Sequence, residues 1–447
     1  MNEEGFKEIN FPYLLPLHFE IKKLINYLFV LFALTLPFFR SAVSVFSGAI
    51  IVLSLYLIFG SVFYRNEEPF FKRLHDIFHQ SMWRTPFLRS LWFFTLFQLF
   101  TFLWSSDLGA AVANTKNYGF FILIPLIAFV FEKKYLKYVI IAFNTGLLFH
   151  ITASLLHYFQ FVHWKKNINP TDPSVFMNRL DYTFFLVFAA LLMLYTAIFR
   201  IVNEKNKLKK YRENTLLILF SVLFITMIFF LQGRTAQLVF VFVLPFVFYF
   251  SIPKRYFYIS IVLSVITVIL VLASAYYLSP NFSDRIDKTR EEINLIASDN
   301  DEKITSSIGQ RIVAVKIGYT IWKNNIFLGV GAGDILSKMN LEINERFKNN
   351  NLIHRPEFVI SHTHFHNQYI QILVGSGLTG LFLFMYLFFQ FYKQCAKNDY
   401  LHGLSLIIIL SCFWAFFTEP YLQKQLVAAL LTLTMGFVYQ QSLESEI

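Results

Sequence analysis

Apolar segments of membrane-spanning length recur along nearly the whole chain and leave few alternatives for its fold. Of the 447 residues, 56% are hydrophobic and only 15% are charged, whereas soluble domains carry nearer a quarter charged residues. Apolar runs separated by short polar connections are typical of helices that cross a bilayer. The sequence therefore predicts an all-α, polytopic membrane helical bundle of about twelve transmembrane helices. The predicted spans are 24–39, 41–63, 90–104, 119–131, 138–162, 181–199, 214–231, 235–250, 256–279, 367–391, 401–418 and 422–440.

The distribution of Lys and Arg predicts the orientation of these spans. If the N-terminus is cytoplasmic, the inside segments hold 21 of the 39 Lys and Arg residues, and the short outside connections with their flanks hold 7. The basic stretch at 205–212 is one of the inside segments. This asymmetry is the positive-inside pattern, and it accounts for the net charge of +11 without a nucleic-acid partner. The first 23 residues lack a signal-peptide pattern, so no removable leader is expected.

The remaining 11 Lys and Arg residues lie in one long outside segment. The predicted organisation is a bundle of about nine spans at 1–279, a large periplasmic loop at 280–366, and C-terminal transmembrane helices at 367–447. A structureless loop of that length is uncommon unless it is functional. The stretch 311–327 is expected to be helical and could lie flat on the outer leaflet or cap the bundle. Its apolar side chains recur at steps of three and four and predict one face, formed by Ile312, Val315, Tyr319, Trp322 and Ile326.

Three arginines are candidates for anion binding on the outside. Arg234 follows a tight connection between two spans, where it either snorkels to the interface or binds a phosphate through its planar guanidinium. Arg311 lies in the predicted first turn of the 311–327 helix, either as a solvated loop arginine or as an anion ligand beside the helix N-terminus. Arg179 precedes the span at 181 and is either an ordinary flanking charge or a third cation of the same kind.

Three histidines, His362, His364 and His366, directly precede an apolar helix expected to run from about Asn367 to Phe391. His362 and His366 have the spacing of metal ligands, but the glutamate of a metalloprotease motif is missing, and no acidic residue lies between 357 and 399. The other interpretations are a solvent-facing tract without a role, and a general base or hydrogen-bond partner near lipid headgroups. We predict a base, His366, with no metal and no cofactor. Asn367 and Tyr369 follow it directly.

Glycines mark two further places. Gly329, Gly331 and Gly333 are spaced like part of a dinucleotide fingerprint, but no βαβ unit surrounds them, so they predict a turn. Gly375, Gly377 and Gly380 lie within the helix that follows the histidines. They either permit close packing of neighbouring helices or are merely tolerated there. The two cysteines, Cys395 and Cys412, predict neither a disulfide framework nor a zinc site.

Several of these features together resemble one family. The motifs are an arginine at a tight outer turn, a G-x-R opening a helix in a large outer loop, "W…N-x-x-x-G-V-G-x-G", and "H-N-x-Y-(I/L)-x-x-L…G-x-x-G". Over roughly residues 170–440 the sequence is similar to the O-antigen ligase and polymerase superfamily. The matching residues are Arg234, Gly309 to Arg311, Trp322 to Gly333, and His366 to Ile370 with Gly377 and Gly380.

The resemblance implies an enzyme that takes a glycan from a polyprenyl (undecaprenyl) diphosphate donor at the periplasmic face of the bacterial inner membrane. It implies catalytic roles for His366, Arg311 and Arg234, without a cofactor. The expected acceptor is lipid A-core, as for an O-antigen ligase. The alternatives are an O-antigen polymerase, a protein O-oligosaccharyltransferase and, outside the enzymes, a transporter of lipid-linked glycans. The candidate substrate-binding residues are Arg179, Gln310, Asn367, Tyr369, His362 and His364.

Overall fold

The computed structural model confirms the all-α prediction, because the residues that it describes form helices and no strand. It describes residues 16–64, 79–162, 164, 173–203, 208–231, 233–278, 283–284, 286–287, 289–291, 307–349 and 364–444. The α-helices are α1 (Pro16–Thr35), α2 (Arg40–Tyr64), α3 (Pro86–Phe100), α4 (Leu108–Thr115), α5 (Leu123–Val130), α6 (Leu136–Tyr158), α7 (Arg179–Asn203), α8 (Leu208–Phe230), α9 (Arg234–Ser251), α10 (Phe257–Leu278), α11 (Ser307–Lys323), α12 (Ile335–Asn349), α13 (Gln368–Cys395), α14 (Asp399–Phe416) and α15 (Gln425–Glu444).

Eleven helical segments in these ranges are long and apolar enough to cross a membrane. They correspond to the predicted spans from 41–63 onward. The largest change is at 119–131, which becomes Leu108–Val130 because a 3-10 turn joins α4 to α5. The predicted first span corresponds to α1, which begins earlier, at Pro16, and has Glu20, Lys22 and Lys23 near its start. These charges explain why α1 is not among the eleven.

The centre of the bundle is α7. Every residue from 181 to 191 is buried, and α7 packs against α8, α9, α14 and α15. A helix that is apolar on all sides belongs inside a bundle. Lipid tails are as apolar as the side chains of α7, so close packing rather than the hydrophobic effect holds such helices together in a membrane. Large side chains supply that packing, among them the fully buried Phe184, Phe188 and Tyr195.

The helix termini gather at two ends of the bundle, called here the site end and the basic end. At the site end, the Thr235 and Thr418 hydroxyls lie 2.8 Å apart and the Tyr421 hydroxyl donates to the Leu180 carbonyl. At the basic end, Lys133 pairs with Glu444. The predicted inside connections 132–137 and 392–400 both lie at the basic end, where the Tyr195 hydroxyl donates to the Tyr400 carbonyl. The alternation of the chain between two ends is that of a multi-pass helical protein.

The helix after the histidines is broken, unlike the continuous helix expected from Asn367 to Phe391. It begins where predicted, since Asn367 is its N-cap, and it extends to Cys395. Gly377 interrupts it with φ 66° and ψ −166°, a conformation that is essentially restricted to glycine. A Cβ atom at Gly377 would overlap the Phe327 carbonyl. Close approach of another segment therefore requires this glycine.

The segment 326–331 satisfies the backbone groups that the break in α13 exposes. Non-helical backbone inside a membrane helix is tolerated only where protein buries it and pairs its polar groups. Four hydrogen bonds pair these groups. The Val330 and Gly331 N–H groups donate to the Val374 and Gly375 carbonyls, at 2.8 and 3.0 Å. The Leu378 and Thr379 N–H groups donate to the Ile326 and Phe327 carbonyls, at 2.8 and 3.2 Å. The glycine-rich segment is thus a turn, as predicted, and it locks onto α13.

Helix α11 caps the bundle with a different face from the one predicted. The buried face carries Ala314, Ile317 and Ile321, which pack with residues of α12 and α13 in a small second core. In the predicted apolar face, by contrast, Ile312 and Tyr319 are exposed. The sequence predicted an apolar face but not which face is buried, because that depends on the packing of α11 against α13.

Candidate active site

The candidate site is built around Glu419, a residue that the sequence analysis did not select. Glu419 lies in the short connection between α14 and α15, and only 2% of its side chain is exposed. A carboxylate so deeply buried requires charged or hydrogen-bonding partners. His366 Nδ1 lies 3.0 Å from Glu419 Oε1, and a terminal nitrogen of Arg311 lies 3.4 Å from the same oxygen. Lys424 Nζ lies 3.2 Å from Glu419 Oε2, and His364 Nε2 lies 3.9 Å from the same oxygen.

These partners determine the protonation of Glu419. Burial by itself would raise the pKa of the carboxyl group. The hydrogen bond with His366 and the charges of Lys424, His366 and His364 outweigh burial and lower the pKa from 4.5 to about 2. Glu419 is therefore an anion at neutral pH. It orders two predicted catalytic residues, His366 and Arg311, around one carboxylate.

The backbone at His366 is held in an unusual conformation. Its φ of 50° is left-handed, which is uncommon for a residue other than glycine and is typical of functional positions. Two contacts hold it there. The His366 backbone N–H donates to His364 Nδ1 at 3.2 Å, and the next residue, Asn367, caps α13 and donates from its side chain to the Phe417 carbonyl at 3.2 Å.

The hydrogen bond to Glu419 also assigns the tautomer of His366. An ionised carboxylate only accepts hydrogen bonds, so His366 Nδ1 carries the donated proton. A neutral imidazole has one proton, which leaves Nε2 as the basic nitrogen. This is the arrangement in which a carboxylate orients a histidine that acts as a general base.

Arg311 is the fifth residue of α11, one turn later than predicted, and 28% of its side chain is exposed. Its contact with Glu419 at 3.4 Å uses one terminal nitrogen, whereas a guanidinium offers five N–H donors. Arg311 can therefore bind an anion while it contacts Glu419. The adjacent Gln310 is half-buried at the same helix terminus.

Arg234 and Arg179 belong to the same end of the bundle. Gly233 lies directly against Thr183, so that a Cβ there would overlap the Thr183 hydroxyl. The Thr183 hydroxyl in turn donates to the Arg179 carbonyl at 2.9 Å. Arg234 begins α9, and the next residue, Thr235, bonds to Thr418, which precedes Glu419. The first turns of α7 and α9 thus lie beside the connection that carries Glu419.

A second buried carboxylate extends the network. Lys424 Nζ lies 3.2 Å from Asp181 Oδ1 as well as 3.2 Å from Glu419, and Asp181 is buried in the first turn of α7. The sequence analysis counted Lys424 only as an outside charge and did not select Asp181. In the sequence, the signal for such a site residue is a single ionisable side chain beside a long apolar span. A charge at such a position is costly unless it is paired or functional. Arg234, Glu419 and Asp181 all fit this rule.

The remaining candidates differ in their surroundings. The Tyr369 hydroxyl donates to the Phe413 carbonyl at 3.1 Å and its ring packs among phenylalanines. His364 supports the His366 backbone, as described above. His362 lies outside the described residues. Substrate contacts by Gln310, Asn367, Tyr369, His362 and His364 stay predictions.

His364, His366 and Glu419 also have the geometry of a possible metal site. One ligand atom from each lies within 4.8 Å of the others, and two histidines with a carboxylate are a common zinc set. However, Arg311 and Lys424 already contact the two oxygens of Glu419. A divalent ion at that carboxylate would lie close to both cations, which Coulomb repulsion disfavours. The three ligand atoms therefore have suitable distances for a metal, but the positive charges of Arg311 and Lys424 oppose its binding.

Together these residues form a buried carboxylate, an oriented imidazole and neighbouring cations at the end of a membrane bundle. Such a site can withdraw a proton from a hydroxyl and stabilise a developing anion. A search of the curated proteins finds no match for the sequence. A family model described as O-antigen ligase matches residues 219–385. This range includes Arg234, Arg311 and His366, while Arg179 and Glu419 lie outside it. This match confirms the resemblance of the chain to the O-antigen ligase and polymerase superfamily.

Proposed function

We propose that the protein is an O-antigen ligase that transfers glycan from a polyprenyl diphosphate to lipid A-core, without a metal and with inversion at the anomeric carbon. The observation that carries the proposal is the convergence on Glu419. His366 and Arg311 come from separate segments and meet at this one carboxylate, and the helix termini bearing Arg179 and Arg234 lie alongside. A family domain of the O-antigen ligase type includes three of these four residues.

The charges at the site end suit a diphosphate leaving group. Arg179, Arg234, Arg311 and Lys424 bring positively charged groups to this end, beside the buried carboxylates Asp181 and Glu419. When the bond between sugar and phosphate breaks, the leaving diphosphate gains charge, and preorganised cations stabilise it where that charge develops. Arginine is well suited to this role because its fork binds two phosphate oxygens at once.

The proposed step is a single displacement. The acceptor hydroxyl oxygen attacks the anomeric carbon of the donor sugar, and the bond from that carbon to the phosphate oxygen breaks with its electron pair leaving on the diphosphate. The hydroxyl proton passes to Nε2 of His366, and Glu419 stabilises the resulting imidazolium through Nδ1–H. Attack opposite to the leaving group inverts the anomeric configuration. The step requires neither a pair of catalytic carboxylates nor a covalent glycosyl-enzyme.

The orientation proposed for this chemistry follows the positive-inside rule. It places the basic end in the cytoplasm and Glu419 at the periplasmic face of the inner membrane. Single cysteines at two exposed positions test it, one at Lys134 on the basic end and one at Glu345 on α12. In intact cells an impermeant thiol reagent should label only the cysteine at 345. Labelling only at 134 would reverse the orientation and remove the periplasmic mechanism.

The transporter alternative is disfavoured by where the buried charges lie. Transporters place ionisable residues near the middle of several spans. Among the described residues the buried acidic side chains are Asp181, Asp334 and Glu419. Asp181 and Glu419 belong to the site end, and Asp334 binds Ser106 outside the spans.

An assay with purified protein tests the function and its alternatives together. The protein receives a polyprenyl-diphosphate-linked glycan with lipid A-core, or the donor alone. A ligase forms glycan-linked lipid A-core and releases polyprenyl diphosphate only when the acceptor is present. Longer donor-linked glycan from the donor alone would show a polymerase instead. Movement of the intact donor across a vesicle membrane without any new glycosidic bond would contradict an enzymatic function.

A further inference from the structure

A large apolar groove lies on the side of the bundle, away from the candidate site. Its volume is about 590 Å³, within the range of pockets that bind small molecules. Helices α1 and α6 form one wall, α8 forms the other, and α7 and α15 form the floor. The lining side chains are largely aliphatic or aromatic, including Leu136, Phe188, Leu192, Leu216, Leu433 and Phe437.

The groove is closed towards the site end and reaches the basic end. Side chains of α6 and α7 meet between the groove and the site end, where the His150 ring stacks on Tyr182 with 3.8 Å between centroids. Phe143, which lines the groove, contacts Phe185. Below this closure the lining residues extend along α7 from Phe188 to Arg200. A molecule that occupies the groove therefore enters from the basic end or from the side, not from the candidate site.

The length of the groove corresponds to one leaflet of a membrane. Its lining on α6 runs from Leu136 to Leu148. Twelve residues of α-helix rise about 18 Å. One leaflet contributes roughly 15 Å of hydrocarbon, half of the ~30 Å core. A lipid tail that extends from the basic end to the middle of the bilayer would match this length.

Positive charges lie at the open end. Arg200 and Lys137 line the groove itself, and Lys133 lines a polar pocket of about 340 Å³ that shares Arg200, Tyr400 and Gln441 with the groove. Two carboxylates, Glu213 and Glu444, partly balance these three cations. The Arg200 contact with Glu213 is long, at 3.9 Å, and 38% of the Arg200 side chain is exposed. Arg200 is therefore placed to contact a further anion.

We propose that this groove binds an anionic phospholipid from the leaflet at the basic end, with one acyl chain between α6 and α8 and the phosphate at Arg200. Basic pockets between membrane helices bind the anionic headgroups of lipids. The closure by His150 and Tyr182 argues against the alternative occupant, the polyprenyl chain of a donor bound at the site end. The proposal is independent of the transferase function, because none of the groove residues belongs to the candidate site.

Lipid retention by the full-length protein tests the proposal. The protein is reconstituted in vesicles of phosphatidylethanolamine and phosphatidylglycerol, extracted in detergent, washed, and analysed by native mass spectrometry. The wild type should retain phosphatidylglycerol in stoichiometric amount. Arg200→Gln should lower this retention about fivefold, because a basic residue near the surface contributes about 1 kcal/mol to anionic lipid binding. The matched control Arg255→Gln removes a basic residue outside the groove.

A pair of leucines on α8 distinguishes the groove from general contact with lipid. Leu216 and Leu219 are both exposed, at 46% and 58%, but only Leu216 lines the groove. Leu216→Trp should fill the groove and abolish phosphatidylglycerol retention, while Leu219→Trp should retain it. Equal retention by the two variants would overturn the site. Retention of phosphatidylethanolamine and phosphatidylglycerol in their bulk ratio would also overturn it. Retention of an added polyprenyl phosphate in place of phosphatidylglycerol would overturn it as well.

Discussion

At the basic end, Lys133 and Glu444 lie 2.7 Å apart with 64% and 38% of their side chains exposed, whereas at the site end Glu419 is almost completely buried among four cationic or titratable side chains. An exposed ion pair contributes little, because water screens it and side-chain entropy opposes it. Removal of the partners of a buried carboxylate, by contrast, strongly lowers the free energy of unfolding. The comparison separates charges that orient the protein in a membrane from charges that build a site.

The largest effect is expected at His366. Replacement by alanine should reduce transfer roughly 100- to 10,000-fold, the usual contribution of general acid–base catalysis. Binding of the donor should persist, because the proposed mechanism assigns the diphosphate to the arginines and not to His366. The matched control is His402→Ala at the basic end, which should leave turnover nearly unchanged. Equal loss in both variants, at matched protein levels, would remove the distinction between the two ends.

Removal of the buried carboxylate should destabilise the protein more than removal of the exposed one. Glu419→Gln leaves Lys424 and Arg311 without their shared partner, and breaking a buried ion pair costs about 3–5 kcal/mol. Glu444→Gln should cost at most about 1 kcal/mol. Thermal unfolding in detergent measures both. Similar unfolding temperatures for the two variants would mean that water reaches Glu419 and that its burial has no energetic consequence.

Arg311→Lys tests the geometry of one cation while it keeps the charge. Loss of one charge-assisted hydrogen bond is worth about 1.5–3 kcal/mol, or roughly a 10- to 150-fold decrease in transfer. The decrease is expected because an ammonium group cannot contact Glu419 and a phosphate with the same planar fork. Lys316→Arg on the exposed side of α11 serves as the control. Normal turnover by Arg311→Lys would reduce Arg311 to a structural partner of Glu419.

The pH dependence of stability offers a smaller effect. Since the pKa of Glu419 is lowered to about 2 in the folded protein, its ion pairs stabilise the fold above its unfolded pKa near 4.3. This contribution is lost as the pH falls through about 2. The stability difference between the wild type and Glu419→Gln should therefore narrow from about pH 4.5 downward. A difference that narrows already near neutral pH would indicate that Glu419 is not held as an anion.

No effect is expected from metal chelation. If the charge of Arg311 and Lys424 prevents metal binding at Glu419, wild-type transfer should be the same with and without EDTA. His364→Ala should then be milder than His366→Ala, because His364 supports the backbone of His366 rather than the reaction. Activity that chelator removes and one added divalent metal restores would replace the proposed base with a metal centre.

The sequence predicted the helical class, eleven of the spans, the start of α13 near Asn367 and the turn at 329–333, since each depends on local composition and spacing. It did not predict Glu419. No acidic residue lies near the histidines between 357 and 399, and Glu419 reaches His366 only because α13 and α14 fold back on each other. Burial of the opposite face of α11 likewise depends on long-range packing. The break at Gly377 depends on a segment some 50 residues away.

The hydrogen bonds between 326–331 and the break in α13 have a consequence for how the protein is made. A helix that enters the membrane with an interruption cannot satisfy its own backbone there, so α13 needs the preceding segment 326–331 to have folded back onto it. Until then Val374, Gly375, Leu378 and Thr379 lack these partners. His366 directly precedes α13 and takes its final position only when that helix is complete. Assembly of the candidate site thus becomes a late step of biogenesis, and we expect a chain inserted with the wrong topology to lack it.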